Sequence, residues 1–199
     1  LAGYGKIIKS LSSAIGVIPT ISIVNGSCTG VASIIASMTD FTIMSEDSYF
    51  AFSGKDALSS TTINDIKNIC NSKGNSKYGK VSLTATNISE CFIKAKKLLD
   101  FLPDNCENLP YDTDVTDDIN RKVDGSDFQT FAEYDVKDLI KQITDNGDFI
   151  EISSEYAKNA VTCFARIGNK SVCIIANQPL FNQGLLTNDA CDKISSVLA

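Results

Sequence analysis

Ile18-Pro19-Thr20-Ile21-Ser22-Ile23-Val24-Asn25-Gly26-Ser27-Cys28-Thr29-Gly30-Val31-Ala32, running on to Asp40-Phe41, is the stretch that decides the reading of this chain. The β-branched run from Thr20 to Val24 predicts a strand that stops at Gly26. The small residues from Ser27 to Ser37 predict a helix packed closely on that strand. A strand, a glycine turn and a helix in this order aim backbone N–H groups and the positive end of a helix at one point. Such a point suits a developing oxyanion as well as a phosphate. A tight turn kept only for packing would use the same residues. No Lys-Ser/Thr pair follows the glycines, so this is not a P-loop, and the spacing is not G-x-G-x-x-G either.

Composition narrows the function classes. The 199 residues suffice for one or two domains, and 43% hydrophobic with 21% charged residues is ordinary for a globular protein. A net charge of −6 argues against nucleic-acid binding, which needs a basic face. No run of apolar residues is long enough to predict a membrane span. Leu1-Ala2-Gly3-Tyr4-Gly5 has neither a basic n-region nor an initiator Met, so it does not read as a signal peptide.

Seven cysteines, with no C-x-x-C pair, favour neither a disulfide framework nor a metal centre. They read as reduced thiols of a cytoplasmic protein, with Cys163 and Cys173 as buried small hydrophobes in strands. There is no histidine. Ser–His and Cys–His nucleophiles, His-ligated metals and a His base are therefore removed. Catalysis would fall to backbone donors, carboxylates, Lys or Tyr, or to a cofactor brought by a partner.

Along the chain, Ile7, Ile8, Leu11 and Ile15 form a helical stripe within Tyr4 to Ile15. Asp40 to Met44 and Tyr49 to Phe52 predict strands joined by a hairpin-like turn at Ser45-Glu46-Asp47, and Thr62 to Cys70 a short helix. Asn71 to Lys77 reads as a polar loop. Asn87 and Glu90 form a capping-box pattern for a helix from Ile88 to Phe101, ended by Pro103. From Asp104 to Asp138 there are eleven acidic residues against three basic, the pattern of a solvated linker. A helix from Asp135 to Thr144 stops at Asp145-Asn146-Gly147. Two strands follow, Ala160 to Ile167 and Ser171 to Ala176, joined by a turn at Gly168-Asn169-Lys170. Asn188 to Leu198 closes the chain as a helix. Both terminal helices read as severed from something larger, hence the expectation of a fragment or a split subunit.

Several ordered strings resemble the biotin-dependent acyl-CoA carboxyltransferases. The opening stretch resembles that family's (V/I)-P-x-I-S-(V/I)-(V/L)-x-G-P-C-A-G-G-A turn, followed by Thr39-Asp40-Phe41. Phe52-Ser53-Gly54-Lys55-Asp56 is similar to its next glycine stretch, and Leu98 to Pro103 to the run that closes its first domain. Asp145 to Glu151, Phe164 to Gly168, Val172 to Pro179 and Gly184 to Lys193 continue in register. The likeness spans nearly the whole chain apart from Thr61 to Val81.

The resemblance implies an α/β, crotonase-like spiral ββα fold. Residues 1–103 would form the later part of a first domain, 104–134 an acidic linker, and 135–199 the opening of a second. Further second-domain features, including another Gly-rich turn, would lie beyond Ala199, so this chain alone would be incomplete as an enzyme. The implied function is carboxyl transfer between biotin and a short acyl-CoA. Gly30 and Val31 would be the catalytic N–H donors to the thioester oxygen, and Gly26, Ser27, Cys28, Thr29 and Ala32 would bind the acyl-CoA. A biotin carboxyl carrier protein and a homo-oligomer, or a subunit with the rest of the second domain, are the implied partners. A non-catalytic assembly subunit, or another crotonase-fold acyl-CoA enzyme such as a hydratase, isomerase or thioesterase, are the alternatives.

Lys55 reads either as a surface lysine or as a contact to a CoA phosphate, Arg166 as a strand-end ion pair, and Asn177-Gln178-Pro179 as a strand exit fixed by side-chain hydrogen bonds. The chain also departs from the family pattern. Cys70 to Gly79 lacks its Gly-Gly and His, Tyr78-Gly79 replaces Ser-Gly, Ser82 stands where the family often has a His, and Val31 replaces the second glycine of the turn.

Overall fold

Parallel pairing between strands distant in sequence organises the first half of the protein. The computed structural model describes residues 2–54, 68–113, 117–118, 120–124 and 134–198. Lys55, Asp56 and the part of the Thr62 to Cys70 helix up to residue 67 lie outside the described residues, while residues 68–70 are helical. Two compact units emerge: Leu1–Leu99 with Pro103–Leu109, and Asp100–Leu102 with Pro110–Ala199.

In the first unit, β1 (Ile21–Val24), β3 (Phe41–Ser45) and β5 (Leu83–Ala85) form a parallel sheet in the order β1-β3-β5. A second parallel pair joins β2 (Ser27–Cys28) to β4 (Tyr49–Phe50). The chain thus alternates between two sheets, adding a strand to each in turn. Helices α1 (Ala2–Ala14), α2 (Val31–Ser37), α3 (Ser72–Lys77) and α4 (Ile88–Leu99) complete the described unit. The three-stranded sheet is covered on both faces. Ile43 packs with Ala85, Cys91 and Ala95 toward α4, while its neighbour Met44 packs with Val24, Ala36, Phe50 and Val81. Burial on both faces explains why the neighbours Ile43 and Met44 of β3 are both apolar. Thr20 and Asp40 lock the β1–β3 register: the Thr20 N–H and hydroxyl both donate to Asp40 Oδ2 at 2.7 Å, and the Asp40 N–H returns to Thr20 Oγ1 at 3.0 Å.

Three expectations for this unit are corrected. Asp40–Phe52 is not a hairpin, because β3 and β4 belong to different sheets and the Ser45–Ser48 segment turns a corner between them. The helix expected from Ser27 starts only at Val31, since Ser27 and Cys28 pair with Tyr49 and Phe50. The polar segment from Asn71 is helical rather than loop. Asn71 caps α3 by accepting from the Gly74 N–H, and the buried Asn75 amide donates to the carbonyls of Phe50, Cys70 and Asn71. Asn75 can be buried because its amide finds backbone partners.

The α4 cap holds with a shift. Asn87 Oδ1 accepts from the Glu90 N–H as expected, but the Glu90 carboxylate reaches back to Thr86, taking both its N–H and its hydroxyl. Lys94, with those Thr86 bonds, holds the Glu90 carboxyl down at about 2.

The second unit is an antiparallel meander of β6 (Phe149–Ile152), β7 (Ala160–Ile167) and β8 (Lys170–Asn177), with α5 (Val136–Ile143) and α6 (Asn188–Leu198). Val136 and Ile140 of α5 pack on Val161 and Cys163. The β7–β8 turn has two residues, Gly168 and Asn169, both at positive φ (57° and 72°), the geometry that suits the twist of a tight hairpin. The Asp145 carboxylate accepts both of their N–H groups at 2.9 Å. Cys163 is buried, and burial with the nearby Glu151 carboxylate pushes its thiol up to about 12. Cys173 is exposed, against expectation, because the outer strand of the meander turns alternate side chains to solvent.

Arg166 is not in the expected ion pair among the described residues. Its guanidinium donates to the carbonyls of Tyr111 and Asp100 and lies over the Phe101 ring. Gln178 does fix the strand exit: fully buried, it accepts from the Val136 N–H and donates to Asp135, the N-cap of α5. The described part of the acidic stretch is engaged rather than free. Arg121 pairs with Asp117 and donates to the carbonyls of Gln142 and Thr144. Among the described residues no helix is long and apolar enough to cross a membrane, and no His, Cys, Asp and Glu cluster could hold a metal ion.

Candidate functional site

The turn from Gly26 to Ala32 is built from the β2–β4 ladder upward. Gly26 is gripped on both its polar groups by consecutive residues: its N–H donates to Ser48 Oγ at 2.8 Å, and its carbonyl accepts the Tyr49 N–H at 2.9 Å. Ser48 is itself buried, donating to the Val24 carbonyl at 3.1 Å and lying 2.6 Å from Ser45 Oγ, which bonds Asn25 Oδ1 at 2.9 Å. Farther along, the Cys28 carbonyl accepts from Ala51 N–H, and the Gly30 N–H donates to the Phe52 carbonyl at 2.8 Å.

Gly30 then turns the chain into α2. Its backbone (φ 62°, ψ −134°) lies where a side chain is strongly disfavoured, so glycine is required here for conformation. The Gly30 carbonyl accepts from the Ser33 N–H and Ser33 hydroxyl. The N–H groups of Val31 and Ala32 sit in the first turn of α2, where a helix supplies no acceptor of its own.

The seven residues expected to form the site are contiguous and held in one turn, but not with equal roles. The expectation that Gly30 offers its N–H to a ligand does not hold here, since Phe52 takes that donor. Both polar backbone groups of Gly26 are likewise committed. Val31, a departure from the family pattern, is helical from its first residue, so its side chain costs nothing in backbone strain. Gly26, Ser27 and Ala32 are exposed; Cys28, Thr29, Gly30 and Val31 are half-buried. Burial raises the Cys28 thiol above its ordinary range, keeping it neutral beside the turn.

Sequence reasoning missed Ser45, Ser48 and Tyr49 as supports of the turn. Their signal was the spacing of two serines before an aromatic, masked by the hairpin reading of the same segment.

These features make the first unit a two-sheet α/β fold in which a glycine-shaped turn leads into a short helix. The chain belongs to the carboxyl transferase domain family, whose pattern matches residues 1–198. It is 34% identical to the methylmalonyl-CoA carboxyltransferase 12S subunit of Propionibacterium freudenreichii subsp. shermanii, over 97% of this chain and 38% of that protein. It is 37% identical to the methylmalonyl-CoA decarboxylase subunit alpha of Veillonella parvula, over 98% of this chain and 40% of that one. The crystal structure of the transcarboxylase 12S hexamer with hydrolyzed methylmalonyl-coenzyme A bound superposes with a TM-score of 0.91 at 33% identity, over 98% of this chain and 39% of the other. The chain therefore spans about two fifths of the length of these relatives.

Proposed function

We propose that this chain is part of a carboxyltransferase that moves a carboxyl group between biotin and a short acyl-CoA, and that the Gly26–Ala32 turn holds the acyl-CoA thioester. The observation that carries this reading is the turn itself, fixed by Ser48, Tyr49 and Phe52 within a chain that matches the family along its length. The two-sheet alternation of the first unit supports the finer reading of its fold as a crotonase-like spiral, and the meander unit would be the opening of a second such domain.

Carboxybiotin, a co-substrate presented by a biotin carboxyl carrier protein, would supply the carboxyl group. The chain's own part is electrostatic. The α-proton would pass to the ureido group that biotin regains on giving up the carboxyl group. As it leaves, negative charge builds on the thioester oxygen, and donors aimed at that oxygen stabilise the enolate more than the ground state. The Val31 N–H is the donor we assign, in place of Gly30, with Ala32 next to it. Gly30 supplies the conformation that aims Val31. Removing one such donor costs about 3–4 kcal/mol in enzymes where it has been done. Cys28 and Thr29 would flank the thioester, and Gly26 and Ser27 the path of the pantetheine arm.

Calorimetric titration of the chain with acetyl-, propionyl- and methylmalonyl-CoA, each against free CoA, tests the reading. Tighter binding of at least one thioester than of CoA is expected. No thioester binding at millimolar concentration would overturn it.

A further inference from the structure

The segment Ser48–Ser53 runs along the turn as a splint, and one side chain in it has a hydroxyl that packing alone does not require. Tyr49 is 4% exposed. Its backbone N–H holds the Gly26 carbonyl at 2.9 Å, and its phenol donates to the Ser53 carbonyl at 3.1 Å. The neighbouring carbonyl, that of Phe52, holds the Gly30 N–H at 2.8 Å. One residue therefore grips the turn at its start and, through the next loop, at its end. Behind β4, the buried Asn75 amide braces the Phe50 carbonyl at 3.1 Å, so the splint is fixed on its far side as well.

We propose that Tyr49 is a positioning residue for the thioester turn: its phenol, anchored on the Ser53 carbonyl, seats the Phe52 carbonyl that holds Gly30 and so aims the Val31 N–H at the substrate oxygen. This rests on the assignment of the turn to the acyl-CoA thioester. A phenylalanine would fill the same space, and only the hydroxyl carries the function. Burial and contact with Cys70 raise the phenol above its ordinary range, so it remains a donor throughout the neutral and mildly alkaline range.

The test is Tyr49→Phe in the full chain, with two readouts. Amide hydrogen exchange at Gly30, followed by NMR with Ile43 as an internal reference, reports the Gly30–Phe52 bond without any ligand. It should quicken by about 3- to 10-fold relative to the reference, the worth of one hydrogen bond. Unchanged Gly30 exchange would overturn the proposal. The second readout is the ratio of affinities for acetyl-CoA and for its thioether analogue S-ethyl-CoA, which differ only in the carbonyl. Tyr49→Phe should lower the thioester preference by about the same factor while S-ethyl-CoA binds as before. Equal loss for both compounds, or no loss for either, would make Tyr49 a packing residue only. An unmutated chain that binds both compounds alike would overturn the thioester assignment itself, and this proposal with it, whatever the exchange at Gly30.

Discussion

The Gly30 N–H is satisfied by the Phe52 carbonyl at 2.8 Å, so the residue that shapes the turn is not the residue left to donate from it. The conformational demand and the chemical demand fall on neighbours. Gly30 meets the first with a backbone that other residues avoid, and in the proposed function Val31 would meet the second from the opening of α2.

Gly30→Ala separates these demands. Nothing crowds the position of the added methyl, so the cost is backbone strain alone, about 1–3 kcal/mol. Urea unfolding should show that loss, and acyl-CoA binding should weaken as the turn relaxes. A variant of unchanged stability would mean that the turn tolerates an ordinary backbone.

Gly74→Ala tests the helical reading of the segment from Asn71. A Cβ at Gly74 would fall 2.2 Å from the Asn68 carbonyl oxygen and 2.3 Å from that of Ile69, backbone atoms that cannot step aside cheaply. Overpacking of this kind costs about 1–3 kcal/mol. Thermal unfolding should show a lowered midpoint; a wild-type midpoint would contradict the close seat of α3.

Lys193 supplies a pH dependence. It is 1% exposed, donates to the carbonyls of Tyr156 (3.0 Å) and Ala160 (2.8 Å), and burial pushes its ammonium down to about 8. The unfolded chain, with an ordinary lysine, binds more protons than the native state from pH 8 up to about 10.5. Stability from this group therefore rises with pH across that window and is flat below it. Chemical denaturation at stepped pH should show a positive contribution that Lys193→Met removes. Parallel curves for the two proteins would sink the assignment.

Self-association is expected. Phe92 and Ile93 of α4 are 55% and 65% exposed, and α1 has no buried residue at all. Apolar helix faces of this kind mark contact surfaces. Sedimentation at micromolar concentration should show dimers or larger species, and a clean monomer would count against an interface here.

The sequence carried the long elements well and the corners poorly. The strand from Thr20, the α4 helix and the β7–β8 hairpin were legible because each has a clear pattern with turn or cap residues at its ends, and α6 was legible without a C-cap. The switch at Ser45–Ser48 was not. A turn between sheets and a turn within one use the same polar residues, and only the distant partners Gly26 and Val24 distinguish them. Asn71–Lys77 was misread because polarity usually means solvent, whereas here Asn75 spends its amide on three carbonyls. β6 went unread because its Phe149, Ile150 and Ile152 are too few to announce a strand without β7 beside them. At the site, the glycines marked the turn, but which N–H remained available depended on Phe52, more than twenty residues away.

The strand order β1-β3-β5 follows the order of the chain, as does β2-β4. Each new strand docks on one that has already emerged. A nascent chain leaving the ribosome could therefore settle strand by strand, without holding an early segment open for a late one. The Gly26–Ala32 turn would be closed early in that sequence: the hydrogen bonds that hold Gly26 and Gly30 come from residues 48 to 52, and only the Asn75 brace on the Phe50 carbonyl waits for α3.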